Sequence, residues 1–318
     1  MKKFLMLFII IIAISCNNSD NTEEEISKIE AEVVVDRFDK KFADVQVSGL
    51  PALKAEYPYF FPEQFHDSIW IAKMKDTIQQ ELSEEVLKAF PDFNAEEEEF
   101  HSLFQHMKYY FPDFNEPKII TVTTEVDYKN SIIYADSLLL VGLDNYLGEG
   151  HHFYESIYKY IRKNFERGQI VVDAAAELSK RQITRTRERT FLSHLILYGK
   201  ELYLKDLLVP SKTDAQKIGY TDEELAWAAE NESQIWRYFV EKDLLYSTDL
   251  ELQERFVLPS PYSKFYLELD NESPGRLGQY IGWQIVRAFM ENNNVPLQQM
   301  LGMTAEEIFN KSKFKPKK

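Results

Sequence analysis

The stretch Lys-Ile-Ile-Thr-Val-Thr-Thr-Glu-Val at residues 118–126 decides the fold class. Most of its residues are β-branched, and such residues favour an extended strand. Residues 131–134 and 137–143 predict two further strands, set apart by the turn-forming pairs Lys129-Asn130 and Ala135-Asp136. The sequence therefore predicts a small sheet in the middle of the chain.

Helical patterns surround this sheet on both sides. Before it, helices are predicted at about 67–89 and 95–110, with Asn94 as N-cap of the second. After Gly150 the apolar residues recur with a period of 3.6. That pattern predicts helices at about 151–166, 173–188, 190–207, 221–243, 249–256 and 276–293. The predicted fold class is α+β, mostly helical with a small central sheet, and residues 33–318 are expected to form a single globular domain.

The first sixteen residues have the pattern of a lipoprotein signal. Lys2 and Lys3 precede an apolar run at residues 4–14, which is too short to cross a bilayer and fits a secretory signal. Ala13-Ile14-Ser15-Cys16 resembles a bacterial lipobox, with Ala13 where leucine is usual. The resemblance implies a signal peptide at 1–15, cleavage before Cys16, and acyl chains such as palmitate on Cys16. An ordinary signal peptide with an incidental cysteine is the alternative.

Residues 17–25 contain no apolar side chain. Together with the lipidated Cys16 they predict an acidic, solvated tether at 16–32 rather than a folded element. Their acidic run is also compatible with a signal for surface export. The remaining sequence has no second run apolar enough to span a membrane, so the folded body is expected to hang from a lipid.

Charge and cysteine content exclude several classes of function. The chain has 37 basic and 52 acidic residues, a net charge of -15, which is unsuited to binding a nucleic-acid backbone. Its single cysteine excludes an internal disulfide framework and a multi-cysteine zinc site. Motifs for nucleotide, phosphate and calcium sites are absent from the sequence. Neither a nucleic-acid partner nor a cofactor is predicted.

Acidic and histidine residues offer few candidates for catalysis or metal binding. Asp173 and Glu177 are four apart on a predicted helix, where an N-cap and a first-turn acid explain them. His151 and His152 are adjacent and are expected to point apart. We predict no catalytic residue and no metal ligand. The alternative is a hydrolase that uses Asp173, Glu177, His151 or His152 as non-standard ligands.

Three segments together resemble a known family. Residues 141–148 (Val-Gly-Leu-Asp-Asn-Tyr-Leu-Gly), 195–203 (Leu-Ile-Leu-Tyr-Gly-Lys-Glu-Leu-Tyr) and 273–286 (Ser-Pro-Gly-Arg-Leu-Gly-Gln-Tyr-Ile-Gly-Trp-Gln-Ile-Val) resemble the gliding motility-associated lipoprotein GldB family. The resemblance implies a bacterial envelope lipoprotein needed for gliding, without established enzymatic activity.

The same family is similar to zincin-like zinc proteases, which carry His-Glu-x-x-His on one helix and a glutamate ligand on the next. The similarity implies that Tyr198 replaces this glutamate and that the helix at 173–188, which has no histidine, lacks both metal ligands and base. It thus implies a degenerate zincin-like fold whose chemistry is lost. Gly278 and Gly282, four apart, are then expected to admit a neighbouring backbone.

We expect a non-catalytic, lipid-anchored component of the gliding apparatus that binds other motility or secretion-linked envelope proteins. Its expected location is the outer membrane, facing the periplasm. A module that binds an envelope glycan is a further alternative, because aromatic-rich, acidic surfaces suit sugars.

Overall fold

The computed structural model describes residues 17–184, 187–267 and 270–317. The predicted signal peptide at 1–15 and Cys16 lie outside the described residues, so their cleavage and lipidation stay predictions. No helix in these ranges is both long and apolar enough to cross a membrane.

A mixed four-stranded sheet lies within the middle of the chain, with strand order β1-β2-β4-β3. Its strands are β1 (Val35–Asp36), β2 (Lys118–Val122), β3 (Ile132–Ala135) and β4 (Leu138–Gly142). β1, β2 and β4 run parallel, and β3 is antiparallel to β4. The three strands predicted from the sequence are confirmed, and the described part adds the short β1.

The first predicted strand ends earlier than expected, at Val122 instead of residue 126. The cause is the buried carboxylate of Asp144, which accepts hydrogen bonds from the backbone N–H of Thr124 (2.9 Å) and of Val126 (2.7 Å). These bonds draw the backbone away from the sheet, and Val126 adopts a positive φ of 60°.

Helices make up most of the remaining described chain, which confirms the α+β, mostly helical fold class. They are α1 (Asn17–Ile26), α2 (Phe38–Asp44), α3 (Leu50–Glu56), α4 (Asp67–Lys75), α5 (Thr77–Ala89), α6 (Asn94–Tyr110), α7 (Lys159–Arg162), α8 (Ile170–Lys180), α9 (Phe191–Leu208), α10 (Asp214–Ile218), α11 (Asp222–Glu230), α12 (Glu232–Glu241), α13 (Glu251–Phe256), α14 (Leu277–Asn292), α15 (Leu297–Gly302) and α16 (Ala305–Ser312).

The main hydrophobic core forms where α9 and α14 pack together, with α8 and the sheet against them. Trp283 is fully buried in this core, whereas Trp227 and Trp236 pack against it from its edge. A smaller aromatic cluster around Phe38 and Tyr57 covers the other side of β2. The sheet therefore separates two apolar layers.

Several predicted helices differ in extent. The helix expected at 67–89 is two helices, because the Asp76 carboxylate accepts the N–H of Gln79 (2.9 Å) and starts α5 anew. The helix expected at 221–243 is likewise divided at Asn231. Residues 151–166 hold only a single 3-10 turn and α7, since the Tyr154 hydroxyl donates to the carbonyl of Asp144 (2.6 Å) and fixes an irregular loop.

The helix expected at 173–188 is shifted. α8 begins at Ile170, because the apolar residues there are buried, and it ends at Lys180. The guanidinium of Arg181 then donates to the carbonyl of Tyr134 (2.8 Å) and lies 4.1 Å from that ring's centre, which fixes the chain against β3.

The expectation that residues 17–25 form an unfolded tether is wrong, because Asn17–Ile26 is the helix α1. Ile26 is only 1% exposed. The side-chain amide of Gln105 on α6 donates to the carbonyl of Ile29 (2.8 Å), and Lys108 donates to that of Glu30 (2.9 Å). These contacts hold the segment after α1 on α6, whereas the predicted domain boundary at residue 33 stays a prediction.

Candidate functional site

Asp173 and Glu177, the acidic pair singled out in the sequence, line a pocket of about 390 Å³. Both lie on α8, and α9 adds Glu201 and Lys205 to the same wall. We call this cavity the α8–α9 pocket. Its other walls come from the segment before β3, the loop after α7, and the residues before α14, namely Tyr128, Lys129, Ser131, Ile132, Tyr160, Ile161, Lys163, Asn164, Phe165, Tyr220, Pro259, Ser260, Gly275 and Arg276.

Asp173 is not the N-cap of α8, since Gln169 holds that position and Asp173 falls in the first turn. Its Oδ2 accepts a hydrogen bond from the buried Tyr146 hydroxyl (2.9 Å), which also lies 3.1 Å from the hydroxyl of Ser131. Burial raises the pKa of Asp173 to about 6, although the positive charge of Lys205 and the Tyr146 hydrogen bond act in the opposite direction. A carboxyl group with this pKa changes its charge close to neutral pH.

Lys205 is the second unusual group of the pocket, since lysine is rarely buried. It is 8% exposed, and its Nζ donates to the backbone carbonyl of Lys217 (2.9 Å). Burial lowers its pKa, while the negative charges of Glu201 and Asp173 raise it in part. The pocket thus places a buried cation close to partly buried acids.

Arg276 lines the same pocket from the segment before α14. Its backbone is left-handed, with φ of 60°, and its Nη2 donates to the carbonyl of Gly219 (2.8 Å). The guanidinium lies 5.4 Å from the ring centre of Tyr220, whose other neighbour is the ammonium group of Lys163 at 5.6 Å. Lys163 also forms an ion pair with Glu224.

His151 and His152 lie elsewhere, and neither lines the α8–α9 pocket. Nε2 of His151 is 3.2 Å from the Glu85 carboxylate, and Nε2 of His152 is 3.1 Å from that of Glu81, both on α5. The expectation that the two rings point apart is wrong, because they stack with centres 4.4 Å apart. This shared direction follows from the two glutamates, one turn apart on α5, that both rings face.

The structure therefore does not bring Asp173, Glu177, His151 and His152 together as one ligand set. Within residues 17–184, 187–267 and 270–317, no three His, Cys, Asp or Glu side chains are arranged to hold a metal ion. On α9, Tyr198 lines a different cavity, with His194 and Lys200, whereas Glu201 faces the α8–α9 pocket.

A second region, the α4 face, was not predicted from the sequence. It comprises Phe65, Ile69, Trp70, Ile78 and Ile133, which lie around α4. None of the nine residues of α4 is buried, although it contains Ile69, Trp70, Ile71 and Met74. The sequence shows that α4 is rich in apolar residues. It does not show that they stay partly exposed, because exposure is set by the fold.

The chain was compared with known proteins. A family model described as gliding motility protein GldB matches residues 19–316, nearly the whole described chain. The chain belongs to the GldB family. No curated protein and no solved structure matches it.

Membership of the GldB family confirms the resemblance drawn from residues 141–148, 195–203 and 273–286. It assigns the chain to gliding motility, and the lipoprotein designation of the family indicates a lipid-anchored envelope protein. The similarity of the GldB family to zincin-like proteases stays a prediction. On α8, the helix compared above with the zinc-binding helix of zincins, three alanines separate Asp173 from Glu177.

Proposed function

We propose that this GldB-family chain is a non-catalytic, lipid-anchored component of the gliding apparatus, held on the periplasmic face of the outer membrane. Its folded body binds other motility or secretion-linked envelope proteins. The observation that carries this proposal is the exposed apolar surface of the α4 face.

The members of the α4 face are neighbours. The rings of Phe65 and Trp70 lie with centres 6.4 Å apart. Ile69 and Ile78, which are 49% and 64% exposed, line one shallow cavity, while Trp70 and Ile133 line the next. Contiguous exposed apolar surface on a soluble body is typical of a protein interaction site. Its position on a short helix allows a partner to bury several aliphatic side chains at once.

The α8–α9 pocket supports a role other than hydrolysis. Lys163 is paired with Glu224, and Lys180 with Glu177, so much of the charge is already compensated within the fold. The three alanines between Asp173 and Glu177 carry no ionisable group, so α8 lacks the glutamate base that a zincin places between its metal ligands. A scaffold needs neither metal ligands nor such a base.

A second candidate, a hydrolase, draws on Asp173, whose raised pKa suits proton transfer near neutral pH. Metal analysis of the purified protein, prepared without chelator or His-tag, separates the two candidates. One zinc ion per chain together with peptidase activity that Asp173→Asn removes would favour the hydrolase.

The interaction role is tested with the double variant Ile69→Asp/Ile78→Asp, expressed in a gene-deletion strain of the native host. We expect the deletion to stop surface spreading without slowing growth, and the double variant to fail to restore spreading. Cross-links from the α4 face to envelope proteins should disappear in the same variant. Cys16→Ala should also fail, because the body is no longer anchored.

The matched control is Leu250→Asp, which places the same charge at a site that is 71% exposed and outside the α4 face. It should spread like the wild type. Normal spreading of the deletion strain would contradict the motility role, and normal spreading of the double variant would contradict the role of the α4 face.

A further inference from the structure

The α8–α9 pocket has a charge opposite in sign to that of the whole chain. Five basic and three acidic side chains line it, while the chain has a net charge of -15. The bases are Lys129, Lys163, Lys180, Lys205 and Arg276, and the acids are Asp173, Glu177 and Glu201. Basic residues therefore outnumber acidic ones at this cavity, although Lys180 pairs with Glu177 and Lys163 pairs with Glu224.

These charges are also separated within the pocket. All three acids lie on α8 and α9, whereas Lys129, Lys163 and Arg276 come from other segments. Three tyrosines, Tyr128, Tyr160 and Tyr220, also line the walls outside α8 and α9. A ligand that enters the pocket thus meets carboxylates together with Lys180 and Lys205 on the helices α8 and α9, and the remaining cations with aromatic rings on the other walls.

Arg276 gives independent support for a ligand. A left-handed φ is unfavourable for an arginine and free of strain for glycine. The preceding Gly275 is itself tightly packed, since a Cβ there would overlap the carbonyl oxygen of Ser260. The fold keeps an arginine where glycine would be free of this strain, and its guanidinium donates to the Gly219 carbonyl and lies near the Tyr220 ring. Strain of this kind concentrates at functional sites.

Lys205 also supports a ligand site in this pocket. A buried ammonium group costs stability unless a partner compensates it fully, and this Nζ bonds one carbonyl oxygen of the fold. Its positive charge lowers the pKa of Asp173 in part, which favours the ionised carboxylate that a cationic ligand group needs. The pocket therefore offers partners for both a negative and a positive group of a ligand.

We propose that the α8–α9 pocket binds a small zwitterion of the size of an amino acid or dipeptide, with its carboxylate at Arg276 and its ammonium group at Asp173. Arginine binds carboxylates through two parallel hydrogen bonds, which suits this assignment. A volume of about 390 Å³ is at the small end of ligand pockets. The site is separate from the α4 face, so it does not depend on a partner binding there.

Calorimetric titration of the full mature lipoprotein in detergent tests the assignment. The probe is L-alanyl-L-alanine, compared with its N-acetyl form, which lacks the ammonium group, and its C-terminal amide, which lacks the carboxylate. We expect both capped forms to bind at least about tenfold more weakly, the effect of losing a charged contact. Equal affinities for the three compounds, or no binding at about 10 mM of the free dipeptide, would overturn the proposal.

Two variants identify which end of the ligand each wall binds. Arg276→Gly should bind the free dipeptide and its amide equally, and Asp173→Asn should reduce the preference over the N-acetyl form. Arg276→Gly removes the backbone strain, so its unfolding temperature should not fall, and that measurement shows whether it is folded. Arg181→Gln, outside the pocket, is the control and should bind as the wild type does. Unchanged discrimination in folded Arg276→Gly would overturn the assignment.

Discussion

Gly199 of α9 and Gly282 of α14 meet backbone to backbone where the two helices cross. A Cβ atom on Gly199 would overlap the carbonyl of Gly282, and one on Gly282 would overlap the carbonyl of Leu195. One turn earlier, a Cβ on Gly278 would lie 2.7 Å from the carbonyl oxygen of Phe256. The prediction that Gly278 and Gly282 admit a neighbouring backbone is confirmed. The closest helix packing of the core therefore depends on the absence of two side chains.

The first prediction concerns Gly282→Ala. Alanine is the better helix former, by about 1 kcal/mol. Even so, we expect this variant to lose more than about 3 kcal/mol of unfolding free energy, because the added methyl group has to push two backbones apart. Denaturant unfolding followed by circular dichroism measures the loss.

Gly302→Ala is the matched control for this variant, since nothing lies within 4 Å of a Cβ atom there. It should change stability by no more than about 0.5 kcal/mol. A Gly282→Ala protein as stable as this control would show that α9 and α14 are not in contact at this point.

Local patterns in the sequence predicted α6, α9 and the strands closely, because each element has a strong period or a dense β-branched run. Where the prediction failed, a distant side chain decided the local structure. The Asp144 carboxylate ended β2, and the Tyr154 hydroxyl fixed the loop that was expected to be a helix. Such interactions join residues that no short window of sequence contains.

The candidate site shows the same limit. Asp173 and Glu177 were visible as a pair, but Lys205 and Arg276 join them only after α8, α9 and the start of α14 have packed. The dipeptide Pro274-Gly275 before Arg276 was the available signal of a special backbone, since Pro-Gly marks a turn. The sequence has no comparable local signal for the α4 face, because its exposure depends on which residues the rest of the fold leaves uncovered.

A second prediction follows from the pKa of Asp173, which burial raises from 3.8 to about 6. In that pH interval the folded state binds more protons than the unfolded state, so the contribution of Asp173 to stability is present below pH 4 and is lost as pH rises through 6. Asp173→Asn has no such loss. Relative to the wild type, it should gain about 1–2 kcal/mol between pH 4 and pH 7.5, a value reduced from the full shift because the side chain is partly exposed.

The measurement is urea unfolding of both proteins at several pH values. Asp113→Asn, at an exposed position, serves as the control and should follow the wild type at every pH. A constant difference between Asp173→Asn and the wild type would show that Asp173 titrates as an ordinary aspartate.

The third prediction concerns Lys200, which is 3% exposed and donates to the carbonyls of Leu301 (3.0 Å) and Met303 (2.7 Å). Burial lowers its pKa from 10.5 to about 8. The unfolded state therefore binds more protons between pH 8 and 10.5, so the stability contributed by Lys200 is present above pH 10.5 and is lost as pH falls through 8.

Lys200→Met leaves both carbonyls without their donor, and we expect it to be less stable than the wild type by about 1–3 kcal/mol at pH 9.5. The deficit should shrink by up to about 2 kcal/mol at pH 7, where the wild type carries a buried charge. Lys28→Met, at an exposed position in the turn after α1, should show no such change with pH. A deficit of Lys200→Met that is independent of pH would contradict the lowered pKa.

The last prediction concerns Arg287, which joins α14 to α9 and α10. Its Nε donates to Asp206 (2.7 Å) and its Nη1 to Asp214 (2.8 Å), while the guanidinium lies 3.7 Å from the ring centre of Trp283. Lysine keeps the charge, but it has neither the planar fork nor the stacking face. Arg287→Lys should therefore cost about 1–3 kcal/mol of unfolding free energy. Arg237→Lys, at an exposed position on α12, should cost less than about 0.5 kcal/mol. Lysine keeps the positive charge, so an interaction by charge alone would leave Arg287→Lys as stable as the wild type. Equal stability of Arg287→Lys and the wild type would therefore mean that the fork and the stacking contribute nothing at this junction. A melting temperature that falls for Arg287→Lys and not for Arg237→Lys, and that is unchanged by added salt, would assign the loss to the fork and the stacking.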